Sequence, residues 1–87
     1  MHHAHLIEAV RRLVTASFVE LGEPHAEQLR ETILIRGGAY CGRRFEADTA
    51  TAIWFLEENQ VKLYRADGSV ARVIGLASLT PGQRAAA

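Results

Sequence analysis

The residues best suited to metal chemistry stand at the start of the chain. Met1-His2-His3 offers a free amine, two amides and an imidazole, the nitrogen ligands that hold copper(II) or nickel(II) in a square plane. We interpret this segment as a polar N-terminus without a metal in use, because no Cys/His spacing typical of a metal site follows it. The sequence therefore predicts neither a metal site nor a cofactor.

The single cysteine, Cys41, excludes an internal disulfide and raises the question of a nucleophilic thiol. Such a thiol needs a neighbouring base, and His25 is the only histidine outside the extreme N-terminus. We therefore expect Cys41 to be a small buried residue. Gly37, Gly38 and Gly42 do not form a phosphate loop, because no Lys-Ser or Lys-Thr pair follows them. These observations predict a protein without catalytic activity.

Basic residues alternate with aromatic ones in the second half of the chain. The candidates for contact with nucleic acid are Arg43, Arg44, Lys62 and Tyr64. Cationic strands that carry aromatic rings bind single-stranded nucleic acid, since the rings stack on bases while the cations follow the phosphates. The alternative is a set of solvated arginines paired with carboxylates. A balance of 10 basic against 10 acidic residues favours that alternative.

Length and composition indicate one small globular domain. The chain has 87 residues, of which 48% are hydrophobic and 23% charged, which argues against wholesale disorder. No apolar run approaches the roughly 20 residues that cross a bilayer, and the N-terminus lacks the pattern of a secretory signal. With one cysteine, this predicts a soluble cytoplasmic protein that does not bind membranes.

The apolar spacing predicts one helix followed by strands. Leu6, Val10 and Val14 recur at helical spacing within an amphipathic segment from about His5 to Leu21, and Gly22 is placed to cap its C-terminus. Beyond it the period changes to two. The predicted strands are Thr32–Arg36, Tyr40–Glu46, Thr51–Glu57, Gln60–Ala66 and Ser69–Ile74.

Short turns join these strands and predict their order. Gly37-Gly38, Glu58-Asn59 and Asp67-Gly68 are read as two-residue hairpin turns. Sequential neighbours then pair. The expected fold is α+β: an N-terminal amphipathic helix packed on a five-stranded antiparallel β-meander. Residues 1–75 are predicted to form the single domain and residues 76–87 a flexible C-terminal tail.

The predicted sheet is apolar on both faces. The side chains assigned beneath the helix are Trp54, Leu56, Val61, Leu63, Val70 and Ile74. The other face carries Ile53, Phe55, Tyr64 and Val73, with Lys62 and Glu57 as its polar rim. An antiparallel sheet with one solvated face is polar there, so this second face needs a cover. Barrel closure, folding back of Leu76 and Leu79, and a second molecule are the three possible covers.

Two resemblances accompany this reading. The segments RGGAYCGRRFEAD (residues 36–48) and AIWFLEENQVKLY (residues 52–64) resemble small bacterial proteins without an assigned activity. The order of one helix and five bent strands, with a glycine in the second strand, is similar to Sm-like RNA-binding proteins, which implies RNA binding and ring assembly. The chain lacks the Asp-containing strand-three motif of Sm-like proteins.

These observations predict a non-enzymatic module that self-associates, as a homodimer, or binds a protein partner. The contact surface is predicted to be Ile53, Phe55, Lys62, Tyr64 and Val73. The alternative is a single-stranded nucleic-acid (RNA) binding module that uses Arg43, Arg44, Lys62 and Tyr64.

Overall fold

The computed structural model describes residues 2–76 of the chain and confirms the predicted α+β fold. Helix α1 (His2–Glu20) precedes five strands. These are β1 (Arg30–Arg36), β2 (Ala39–Glu46), β3 (Ala50–Phe55), β4 (Gln60–Arg65) and β5 (Val70–Gly75). The strand bounds lie within two residues of those predicted. The described helix is not long and apolar enough to cross a membrane.

Helix α1 ends at Glu20 and is capped by the predicted glycine, Gly22. Gly22 has a φ of 87°, a conformation that a glycine adopts without a Cβ clash. The amide of Glu23 donates to the carbonyl of Phe18 at 2.9 Å, and the amide of Gly22 donates to that of Val19 at 3.0 Å. These two bonds form a Schellman motif, which satisfies carbonyls left open at the end of the helix.

The chain between α1 and β1 forms one hydrogen-bonded turn and no second helix. The amide of Gln28 donates to the carbonyl of His25 at 3.0 Å. The turn begins at Pro24, and its Ala26 is buried in the core.

The five strands form one antiparallel sheet in the order β1-β2-β3-β4-β5. Strands β1 and β5 are its two edges and do not pair with each other. Within residues 2–76 the sheet is therefore open, and the barrel closure considered from the sequence does not occur.

One of the three hairpin turns has the predicted two-residue form: Gly37 and Gly38 both have positive φ and lie between the paired residues Arg36 and Ala39. At Asp67-Gly68 the loop has three residues, 66–68, since the amide of Arg65 donates to the carbonyl of Ser69 at 2.9 Å, and Gly68 has a φ of 88°. The β3–β4 turn was also predicted wrongly: strand β3 ends at Phe55, and four residues, 56–59, make the turn before β4. Trp54 consequently lies opposite Val61 instead of Leu63. The shift is two residues, so each side chain keeps its predicted face.

Two bulges change the pairing locally. In β2, Cys41 is an extra residue between Tyr40, which pairs with Ile35, and Gly42, which pairs with Leu34. This forms a β-bulge beside Gly42.

In β5, Ala71 is the extra residue of the second bulge. Arg72 pairs with Leu63, whereas Val70 pairs with Tyr64. The assignment of Val70 to the core was wrong, because the bulge places it opposite Tyr64, and Val70 is 51% exposed.

The core lies between α1 and one face of the sheet. Its fully buried large side chains are Val10, Val14, Phe18, Phe45, Trp54, Val61, Leu63 and Leu76. Leu76, placed in the predicted tail, is buried, and its amide donates to the carbonyl of Asn59 at 3.0 Å. Leu79 and the rest of the tail prediction lie outside the described residues.

Candidate functional site: the open sheet face

The face of the sheet opposite α1, here called the open face, carries three rows of side chains that run across the strands. The central row is Thr32, Arg44, Ile53, Lys62 and Val73. One flanking row is Arg30, Glu46, Thr51, Tyr64 and Val70. The other flanking row is Leu34, Gly42, Phe55, Gln60 and Gly75. Side chains within a row are close neighbours, since opposed residues have Cβ atoms about 5 Å apart.

The structure thus places all five predicted contact residues on the open face. Ile53, Lys62 and Val73 are successive members of the central row, with Tyr64 and Phe55 in the flanking rows. Ile53, Phe55 and Tyr64 are half-buried by their neighbours, and Val73 is 49% exposed. No element within residues 2–76 packs over this face, because α1 and the core occupy the other one.

The open face is basic as well as apolar. Its rows contain three cations, Arg30, Arg44 and Lys62, against one carboxylate, Glu46. Lys62 lies 3.4 Å from Glu58 in the neighbouring turn.

Arg44 makes no ion pair with any described residue. Arg44 and Lys62 flank Ile53 directly, so two cations border an apolar centre in the central row.

Arg43 lies on the opposite face and does not belong to this surface. Its Nε donates to the hydroxyl of Tyr40 at 2.9 Å, and its guanidinium also pairs with Glu31. The hydrogen bond to Tyr40, followed by the bond to Glu31, raises the pKa of Arg43. The structure therefore separates Arg43 from Arg44, Lys62 and Tyr64, the other three residues proposed for nucleic acid.

Glu31 joins the helix to the sheet at this point. Arg11 of α1 donates through Nε to one oxygen of Glu31 at 2.8 Å, and through a terminal nitrogen to the other at 3.1 Å. The hydrogen bonds from Arg11, and then from Arg43, hold the pKa of Glu31 below its usual range. This network engages Arg11 and Arg43 on the helix side. On the open face Arg30 lies 4.0 Å from Glu46 and Lys62 lies 3.4 Å from Glu58, so Arg44 is the cation of its rows that has no ion pair with a described residue.

Cys41 lines a groove of about 390 Å³ at the end of the sheet. The other lining residues are Arg36, Tyr40, Phe55, Leu56, Glu57 and Glu58. Cys41 is half-buried, so the expectation of full burial was wrong: the thiol belongs to the bulge and reaches the groove. His25 is not among the lining residues, and its Nδ1 lies 3.0 Å from Asp48.

Glu23, His25 and Asp48 form a cluster that sequence reasoning missed. One possible ligand atom from each lies within 4.8 Å of the other two. Both oxygens of Glu23 are already occupied: Oε1 accepts from the amide and hydroxyl of Thr49, and Oε2 accepts from the amide of His25. The hydrogen bond from the Thr49 side chain, ahead of that from His25, lowers the pKa of Glu23.

These contacts give the cluster a structural role. Glu23 is 5% exposed and links the connection before β1 to the connection between β2 and β3. No spacing in the sequence predicts this cluster, since the fold brings its members together. The copper or nickel site considered at Met1-His2-His3 rests on Met1 and on side chains outside the described residues.

No family model, curated protein or solved structure matches this chain.

Proposed function

We propose that the protein is a non-enzymatic binding module that holds a protein partner on its open face. Ile53, Phe55, Lys62, Tyr64 and Val73 make the contact. The observation that carries this proposal is the row in which Ile53 and Val73 alternate with Arg44 and Lys62, with nothing from residues 2–76 above it.

The free energy available at this surface is substantial for a small domain. Covering about 300 Å² of apolar area is worth about 7 kcal/mol at 25 cal/mol per Å². That is comparable to the whole stability of a protein of this size. Only part of it becomes affinity, because association also costs translational and side-chain entropy.

The charges favour a partner that is a different protein and carries carboxylates. Stacking two copies through the open face would bring two surfaces with an excess of cations together. Like charges across an interface cost several kcal/mol, whereas opposite charges steer association and fix the register. A segment that combines apolar side chains with Asp or Glu complements both properties of the face.

Single-stranded nucleic acid is the second candidate for the same face. Arg44, Lys62 and Tyr64 lie together there, although Arg43 does not. The zero net charge of the chain and the aliphatic centre of the face favour protein over nucleic acid.

A peptide library displayed on phage tests the proposal against the native protein. We expect enrichment of peptides that combine apolar and acidic residues. Binding of a selected, labelled peptide should weaken about tenfold or more in the Val73→Lys variant, which inserts a fourth row cation into the contact. Val19→Lys is the matched control, because Val19 is 60% exposed and lies on α1. Failure to enrich peptides, or equal binding by both variants, contradicts the proposal.

A salt series with labelled oligo(dT) and oligo(U) separates the second candidate from the first. Binding that weakens steeply with salt and is lost in Arg44→Gln supports nucleic acid and overturns the protein-partner proposal. Absence of binding at low salt removes the second candidate.

A further inference from the structure

Strand β1 is an edge strand whose apolar side chains are left uncovered on the helix side. Ile33 and Ile35 point to the same side as Glu31 and Tyr40, and they are 53% and 61% exposed. Helix α1 reaches this strand through Arg11 and Glu31, at the far end from Ile35. Among residues 2–76, only β2 pairs with β1.

The centre of this edge strand lacks the protection that edge strands usually carry, since its charged residues, Arg30, Glu31 and Arg36, stand at its ends. Charged side chains, prolines or bulges in the edge strand itself normally prevent it from pairing with another chain. The central residues 32–35 of β1 are uncharged and contain no proline, and the neighbouring bulge lies in β2 instead. A strand of seven residues with two exposed isoleucines is therefore a template for a further strand.

We infer that β1 pairs antiparallel with β1 of a second copy of the chain, around a two-fold axis through Leu34. Ile33 then lies opposite Ile35 of the second copy, and Thr32 lies opposite its Arg36. Four isoleucines, two from each copy, form one apolar patch on the helix side. The two leucines at position 34 meet on the other side.

The sequence of β1 selects this register. Paired residues must share a face, so the axis has to pass through a residue rather than between two residues. An axis through Ile33 would set Arg30 opposite Arg36, and like charges directly opposed are destabilising. An axis through Thr32 also pairs five residues but leaves Ile35 outside the pairing, and an axis through Ile35 pairs only three residues and leaves out Ile33. The axis through Leu34 is the one that pairs both isoleucines of each copy without opposing like charges.

The resulting dimer is a closed assembly with a continuous sheet of five strands from each copy. A two-fold axis perpendicular to the sheet keeps both helices on one side and both open faces on the other. The inference goes beyond the proposed function, since it uses the edge of the sheet and leaves Ile53, Lys62 and Val73 uncovered.

Sedimentation velocity on the native chain at high micromolar concentration gives the first test. We expect twice the mass of one chain, and the mass of one chain in Ile35→Lys. An exposed lysine at this position costs the monomer little and is a device that natural edge strands use. Val19→Lys and Val73→Lys are the controls and should remain dimeric. A native mass of one chain overturns the inference, as does a dimer that survives Ile35→Lys or is lost in Val73→Lys.

Disulfide trapping tests the register and does not depend on the lysine variant folding. In a Cys41→Ser background, Leu34→Cys should cross-link under mild oxidation, because opposed residues have Cα atoms about 5 Å apart and a disulfide needs less than about 7 Å. Thr32→Cys should not, since four residues separate it from its copy, or about 13 Å along the strands. Cross-linking of Thr32→Cys alone overturns the proposed register. If β1 pairs with a strand of another protein and no homodimer forms, the inference that the partner is a second copy of the chain is wrong.

Discussion

Thr49 donates two hydrogen bonds to a single carboxylate oxygen of Glu23. The backbone amide of Thr49 lies 2.7 Å from Oε1, and its hydroxyl lies 2.6 Å from the same atom. The other oxygen accepts from the amide of His25 at 2.9 Å. A nearly buried carboxylate thus joins two connections that are far apart in sequence. Glu23 accepts all three hydrogen bonds, which fits the ionised form of the carboxylate, since that form has acceptors and no donor.

We expect the protein to lose stability as the pH falls, because protonation of Glu23 removes its stabilising hydrogen bonds. The pKa of Glu23 is lowered in the folded state by the Thr49 hydroxyl first and the His25 amide second. Its stabilising contribution is therefore fully present above the unfolded pKa of about 4.3 and is lost as pH falls through the folded pKa. Thermal melts of Glu23→Gln between pH 7 and pH 3 should start lower and show a weaker pH dependence than the native chain.

Variants of Thr49 supply the control for this prediction. Thr49→Ser keeps the hydroxyl and should melt close to the native protein, whereas Thr49→Ala should melt lower at neutral pH. An unchanged melting temperature in both Glu23→Gln and Thr49→Ala would show that the link between the two connections does not stabilise the fold.

Loss of the Glu31 carboxylate should loosen α1 from the sheet. Glu31→Gln removes the acceptor shared by Arg11 and Arg43 and is expected to cost about 1–2 kcal/mol, because hydrogen bonds to charged groups are worth more than exposed ion pairs. The measurement is the free energy of unfolding in urea. Glu8→Gln is the control, since the ion pairs of Glu8 with other described residues are exposed and 3.9 and 3.8 Å long, and it should change stability by less than about 0.5 kcal/mol. Equal effects of the two variants would contradict this account.

Gly42→Ala should be among the most damaging single-methyl substitutions. A Cβ at Gly42 would lie 2.0 Å from the carbonyl oxygen of Trp54 and 3.0 Å from its carbonyl carbon, both backbone atoms that cannot rotate away. Strand β2 would have to separate from β3, at a cost of about 3 kcal/mol or more. Gly75→Ala is the matched control, because no atom of the described residues lies within 4 Å of its Cβ position, and its free energy of unfolding should stay within about 0.5 kcal/mol of that of the native chain.

The sequence predicted the fold where local chemistry determines it. Gly37-Gly38 and Asp67-Gly68 demand tight turns, and these turns define the neighbouring strand pairs. The β3–β4 turn was misjudged, because Asn59 adopts a positive φ of 53° as the last residue of a longer turn. The bulge residue Ala71 gives no signal of its own, so the exposure of Val70 followed only from the structure.

The candidate site also combines local features that the sequence predicts with long-range contacts that it does not. Alternation along β3 and β4 correctly grouped Ile53, Lys62 and Tyr64 on one face, since a period of two is a local property. The ion pair of Arg43 with Glu31 depends on the bulge at Cys41, which shifts the β1–β2 register by one residue and puts both side chains on the helix side. The convergence of Glu23 with Asp48 depends on two connections that the fold brings together, so neither contact could be predicted from spacing.

Leu76 extends the stabilising core beyond the boundary predicted at residue 75. The side chain is fully buried, and its amide donates to Asn59 in the β3–β4 turn, so the residue fastens the end of β5 to that turn. Leu76→Ala should destabilise the protein by about 2–4 kcal/mol, because it removes buried methyl groups and leaves a cavity. Val73→Ala, which shortens a half-exposed side chain on the open face, should cost less than about 1 kcal/mol. Urea unfolding of both variants measures the difference, and equal values would show that Leu76 contributes no more than a surface residue.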